Sequence, residues 1–379
     1  MGASKLATRR RLVNEPTKER DITHSFLPLA SLFFQAPVGR KLGGPSLVRL
    51  VLQLDRRNGA TVQPGALDTA RSVLKRRLDE YALQDVTVEP GPDGRLVVDA
   101  NGVTELGRLE WLLTTVGRLE FRITDLNNRF RAALPDIDGA LRRAGVQAPS
   151  SGGRAPSFLQ KSPTEPFSSL LFQGQLPGEY LVREDQVPAV ARLLARADVQ
   201  RGIPSGLELK WGTDLLARAG DSYRALYAVE YRPIMRGEEV ERAVALRDIK
   251  SNQAAVVFTL SERGGRSFER ETGRHVNDYL AIILDGQVQV QPPMIRGPIG
   301  RKGQIELGNK PLADAQDLAA VLTAGSLPAP LVLVDEQILG TSPPVREREP
   351  WEIWAATAAV VVWVLVLFVL ARRRKDRRE

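Results

Sequence analysis

YLAIILDGQVQV, Tyr279 to Val290, places an Asp-Gly pair between two apolar runs. Asp and Gly both accept positive φ, so Asp285-Gly286 predicts a tight β-hairpin with strands at Tyr279–Leu284 and Gln287–Val290, ended by Pro292 and Pro293. Upstream, Arg224–Val229 and Ala254–Leu260 (AAVVFTL) read as strands, and Ser267–Asp278 as a helix whose Phe268, Thr272, His275 and Val276 face inward. Downstream, Leu312–Leu322 reads as an amphipathic helix ending before Gly325, and Leu331–Val334 as a last strand. These elements form one α/β block that starts near Tyr223.

An earlier block is built the same way. Leu47–Asp55 is an apolar strand, and a helix follows from Pro64 with Leu67, Ala70, Leu74, Leu78 and Tyr81 at three- and four-residue steps. Val86–Val88 and Leu96–Val98 flank PGPDG and read as a hairpin. Thr104 is the expected N-cap of a second helix with Leu106, Leu109, Leu113 and Val116 buried and Gly117 as its left-handed stop. Leu119–Ile123 then closes a β-α-β-β-α-β order, which predicts a ferredoxin-like sandwich. Ala144–Gly178 is rich in Pro, Gly and Ser and is expected to be a mobile insert; a basic helix at Val187–Ala195 and a strand at Leu207–Trp211 follow it.

The C-terminal region adds a membrane anchor. Ile353–Ala371 runs without a charge and ends in RRRKDRRE. As a helix it reaches roughly 28 Å, the thickness of a bilayer core, with Trp351 and Trp354 at the interface. The positive-inside rule puts residues 372–379 in the cytoplasm and the bulk of the chain outside, with Arg372, Arg373, Arg374 and Lys375 against anionic lipid headgroups. The N-terminal region offers only Phe26–Phe34 as an export signal, broken by Pro28; it reads as a poor signal core, an interfacial segment or a plug on the folded domain. If it is no signal, the domain is tail-anchored in the cytoplasm instead. The organisation expected is therefore an irregular basic segment 1–45, a first block 46–125, an insert with connecting elements 126–222, a second block 223–340, a stalk 341–352, a span 353–371 and a tail 372–379.

Composition narrows the function classes. The chain is 43% hydrophobic and 26% charged, which suits a folded core. Its net charge of +8 owes about half to the tail, so nucleic acid is not an expected partner. Cysteine is absent, which removes disulfides, thiolate metal sites and cysteine nucleophiles. With only His24 and His275 there is no histidine cluster, and GPIGRKG at Gly297–Gly303 lacks the G-K-S/T ending of a phosphate loop and reads as a hairpin loop. Glu238, Glu239 and Glu241 read as a solvated face. No cofactor, metal or catalytic residue is expected, and the chain does not read as an enzyme.

Several stretches resemble a known family. FTL at Phe258–Leu260, the helix bearing Phe268, LAIILDGQVQVQPPMIRGPIG, GQIELG, ADAQDLAAVLTAGSLPAPL and Leu339-Gly340 resemble the first periplasmic domain of SecD, the accessory subunit of the bacterial Sec protein translocase. RLVLQLD, LKRRLDEYAL and GRLEFRITD are a fainter likeness to its base subdomain. The resemblance implies an α+β head, 223–340, beside a ferredoxin-like base, a place in the bacterial inner membrane, and a role in protein export with unfolded, emerging polypeptide and other Sec translocase subunits as partners. An extended chain pairs with exposed strand edges, and the apolar turn Gln291–Gly297 is the candidate surface, with Pro292, Pro293, Met294, Ile295 and Arg296, together with the insert 144–178. Family members carry a membrane helix before the base and several after the head, whose ionisable residues couple proton flow to substrate movement. Ile353–Ala371 contains no Asp, Glu, Lys, Arg or His, and the glycine pair Gly43-Gly44 is shifted relative to LVLQLD, so the chain reads as the exterior domain on one anchor without the motor. A membrane-tethered structural module that kept the fold and lost the transport role is the competing reading.

Overall fold

The computed structural model describes residues 40–55, 64–81, 83–148, 165–218, 220–249 and 251–341. The expected span Ile353–Ala371, the tail cations Arg372–Lys375 and the run Phe26–Phe34 lie outside the described residues. Among the described residues no helix is long and apolar enough to cross a membrane. The fold is mixed α+β.

The base begins with strand β1 (Lys41–Leu54), helix α1 (Ala66–Asp79), the hairpin β2 (Gln84–Pro90) and β3 (Arg95–Glu105), and helix α2 (Leu106–Thr114). In β1 the alternate residues Val48, Leu50, Leu52 and Leu54 are buried, and Ala70, Val73, Leu74 and Leu78 of α1 pack on them. Each fully buried leucine contributes about 1.5–3 kcal/mol. Glu105, not Thr104, stands at the N-cap of α2, and its side chain makes no cap bond; Thr104 is still in the strand.

The closing strand is not the one expected. The base sheet has the order β15-β1-β3-β2, all antiparallel, and its fourth member is β15 (Leu331–Thr341), more than 200 residues downstream. Leu119–Ile123 (β4) turns away at Gly117, where φ is +84°, and enters another sheet. The reason is visible in its burial: Leu119, Phe121, Arg122 and Ile123 are all buried, a two-sided pattern that suits an interior strand.

After β4 comes helix α3 (Arg129–Arg143), then β5 (Phe172–Gln173), β6 (Glu179–Arg183), α4 (Val187–Leu194), α5 (Ala197–Gly202), β7 (Leu207–Arg218) and β8 (Asp221–Glu230). The insert is therefore only partly loop: Phe167, Leu170 and Leu171 are core residues beneath Phe130, Leu134, Ile137 and Tyr180, with Phe130 edge-on to Tyr180 at 5.2 Å. Residues 149–164 lie outside the described residues.

The head comprises β9 (Met235–Arg236), β10 (Val240–Arg247), β11 (Ala254–Leu260), α6 (Glu262–Arg274), β12 (Leu280–Leu284), β13 (Gln287–Val288), β14 (Lys302–Glu306) and α7 (Leu312–Ala324). β10-β11-β14 form one small sheet, and β5-β6-β8-β7-β13-β12-β4-β9 the large one. The large sheet curls until Thr124, just past β4, bridges Val229 of β8. Tyr223, Ala225, Tyr227 and Val229 thereby meet Ala281, Ile283 and Val288 inside the curl.

Two helices differ from expectation. α6 starts five residues early, because Ser261 accepts the Gly264 amide and because Gly264 and Gly265 let the helix approach Glu239 and Arg301 more closely than a Cβ would allow. It stops at Arg274, leaving His275 and Val276 outside the buried face. α7 is not amphipathic: Ala320, Val321 and Ala324 lie in the base core, whereas Ala315, Leu318, Ala319 and Leu322 lie in the head core. A helix shared by two cores is apolar on two sides.

Candidate functional site

The site is built on the hairpin from which the fold was read. Asp285 and Gly286 have φ of 49° and 84°, as the Asp-Gly turn requires, and Leu284 pairs with Gln287. The Asp285 carboxylate accepts the amides of Gly117 and Arg118 at 3.0 and 2.7 Å, and the Asp285 amide donates to the Arg118 carbonyl. Burial pushes this carboxyl above the ordinary carboxylate value, and the two amides pull it back. The head's central turn is thus fastened to the exit of α2.

Beside it lies Arg77, fully buried on α1. Its guanidinium donates to the carbonyls of Leu112, Thr115 and Val116 at the end of α2, and to that of Gly325 at the end of α7. Burial draws its pKa down to about 10. The carbonyl-bearing C-terminal ends of two helices are a favourable place for a cation. A second tie joins the same helices, the bidentate pair of Arg108 with Asp317 at 2.8 and 2.7 Å. Burial raises Asp317 and its arginine partner opposes the rise.

From this frame the candidate segment runs out. The chain leaves the sheet after Val288, although Gln289 still donates to Ile282 across the hairpin. It comes back alongside 277–280: Leu280 donates to the Pro293 carbonyl at 2.9 Å, Ile295 donates to Asp278 at 2.8 Å, and Asn277 donates to Ile295 at 2.8 Å. Tyr279 and Met294 face one another between those bonds in antiparallel register. A residue in such a non-hydrogen-bonded pair directs its own N–H and C=O away from its partner. Met294 therefore presents its backbone outward, and the residue is 44% exposed.

The five expected contact residues divide accordingly. Pro293, Met294 and Arg296 are exposed. Pro292 is buried, and Ile295 is a core residue packed in the same cluster as Phe121, Phe258 and Phe268. Arg301 of the basic loop is occupied by the Leu260 carbonyl and Glu241. Two supporting groups were not anticipated. His275 lies 2.7 Å from Asp278, the residue whose carbonyl holds Ile295. Glu179, in another lobe, accepts a bond from the Gln291 amide group at 3.3 Å. Glu179 has no local sequence signal, since the fold alone brings it to the segment, whereas His275 stands three residues before Asp278 in HVND.

Among the described residues no group of three or more His, Asp or Glu is placed to hold a metal ion.

Residues 213–329 match the profile of the SecDF P1 head subdomain. The protein translocase subunit SecD of Rhodothermus marinus is 30% identical over 298 residues, 73% of this chain and 47% of that protein. The SecD of Magnetococcus marinus is 24% identical over 289 residues, 76% of this chain and 42% of that protein. The chain thus spans about half the length of the curated relatives it matches. A crystal structure of SecDF in a super-membrane-facing form aligns with a TM-score of 0.45 and 21% identity, over 78% of this chain and 31% of that one. The chain is a SecD-like protein carrying the P1 periplasmic domain.

Proposed function

We propose that the chain is a membrane-anchored exterior domain that assists protein export by holding unfolded polypeptide as it emerges, at the edge formed by Pro293, Met294 and Arg296. The single observation that carries this reading is the outward backbone of Met294 in a segment that is otherwise fastened down, within a head that matches the P1 profile. An extended chain laid against that edge gains the Met294 N–H and C=O as partners and the methionine thioether as an adaptable apolar contact. The relatives' name, protein translocase subunit, supports export as the setting, with other Sec subunits in the bacterial inner membrane as partners. The expected span Ile353–Ala371 has no ionisable side chain and offers no proton relay, so any cycle of work draws its free energy from a partner.

A photo-crosslinking residue in place of Met294, in the full chain in proteoliposomes, tests the reading. A reduced, permanently unfolded polypeptide should crosslink there and its folded form should not. Equal labelling of both, or of neither, would leave a structural tether as the better account.

A further inference from the structure

We infer that Glu179 is the positioning residue of the contact segment, holding Gln291 so that the Met294 edge faces outward; the inference deepens the reading proposed above and rests on it for its purpose. Glu179 opens β6 and is 2% exposed. One carboxylate oxygen accepts the amides of Gln175 at 2.7 Å and Leu176 at 3.1 Å; the other accepts the Tyr227 hydroxyl at 3.1 Å and the Gln291 amide group at 3.3 Å. Tyr227 is also its cross-strand partner on β8.

The turn at 174–176 is closed tightly around this carboxylate, since a Cβ at Gly174 would stand 2.3 Å from it. A buried carboxylate is costly unless its lone pairs are filled. Three of the four donors come from its own lobe and suffice to hold it in place. The fourth comes from Gln291, three residues past the end of β13.

That fourth bond matters because of what lies on either side. The Gln289 amide is the last backbone donor on the outgoing side and the Pro293 carbonyl the first backbone acceptor on the return. Pro292 and Pro293 have no N–H of their own, so once the Gln289 carbonyl has accepted Thr213 and Lys310, the Gln291 side chain adds the next polar tie to the path, beside the packing of Val290 and Pro292. The lobe inserted after β4 thereby sets a surface that belongs to the head.

Gln291→Leu removes the tie while leaving Glu179 its three other donors, so the fold is kept. Two readouts are taken on the full chain: the rate of trypsin cleavage after Arg296 in the native protein, and crosslinking from position 294 to the unfolded polypeptide. Cleavage should rise and crosslinking should fall, each by roughly fivefold, at unchanged melting temperature. The exchange Glu179→Gln with Gln291→Glu restores a carboxylate–amide pair with the roles reversed, and should recover both. Unchanged cleavage and crosslinking in Gln291→Leu would overturn the inference. Faster cleavage in a protein whose parent never crosslinks would uphold Glu179 as the anchor and reject the contact reading instead.

Discussion

Arg77 shows how one residue can be both legible and misleading. In LKRRLDEYAL it follows Ala70 by seven residues and Leu74 by three, which puts it on the buried face of α1, yet an Arg-Arg pair invites a solvated reading. The structure buries it because two helices end at its guanidinium. Arg77→Met strands the carbonyls of Leu112, Thr115 and Gly325, whereas Val116 keeps the Leu327 amide, and each buried acceptor left without a donor costs about 1–3 kcal/mol. Urea denaturation should accordingly show a loss of about 3 kcal/mol or more; a loss under about 1 kcal/mol would mean that water reaches these carbonyls. Gly117 belongs to the same knot. A Cβ there would meet Arg77 Nη2 and Val321 Cγ1, both at 2.8 Å, in a backbone with positive φ. Asp285 adds a pH dependence. Its folded pKa is raised, so its contribution is fully present below the ordinary carboxylate value and is lost as pH rises through the folded one. The Met294 edge itself could be sensed from the sequence only as an apolar turn. That Ile295 points inward and Met294 outward depends on the register with 277–280, which no local pattern encodes.

Among the elements, the Asp285-Gly286 hairpin was readable because turn chemistry is local. Gly286→Val forces a β-branched residue to positive φ and should destabilise by about 1–3 kcal/mol in thermal melts. An unshifted transition would show that the turn tolerates another geometry. α3 carries the same kind of signal, with Phe130, Leu134, Ile137 and Leu141 at helical spacing, but Pro135 inside it and the Pro-rich stretch beyond are helix-breaking signals that mask that period. α6 was misplaced for the opposite reason. Its two early glycines look like helix breakers, and they are required by close neighbours that sequence does not show. β4 and α7 went wrong through tertiary context: a strand buried on both sides and a helix serving two cores both hide the alternation from which partners are inferred.

For the whole molecule, the main surprise is interleaving. Everything from β4 to α7 is inserted between the base's second helix and its fourth strand, and α7 then packs into both cores. A shared helix couples the packing of base and head, since its loss would open both cores. The orientation expected from the tail cations can be checked at this scale: protease added to spheroplasts should digest the domain and leave a small anchored fragment, whereas full protection with membranes intact would place it in the cytoplasm. β15 gives the arrangement a mechanical meaning. It closes the base sheet, follows the shared helix, and is the strand from which the chain continues toward the expected anchor. Tension entering at Thr341 is applied along the strand, and where the opposing load enters at the far end of β1, near Leu54, the run of pairs from Ser46–Thr341 to Leu54–Leu331 is sheared together and not peeled one at a time. A load path of this kind resists pulling far better than an unzipping one, and it lies in the last strand among the described residues.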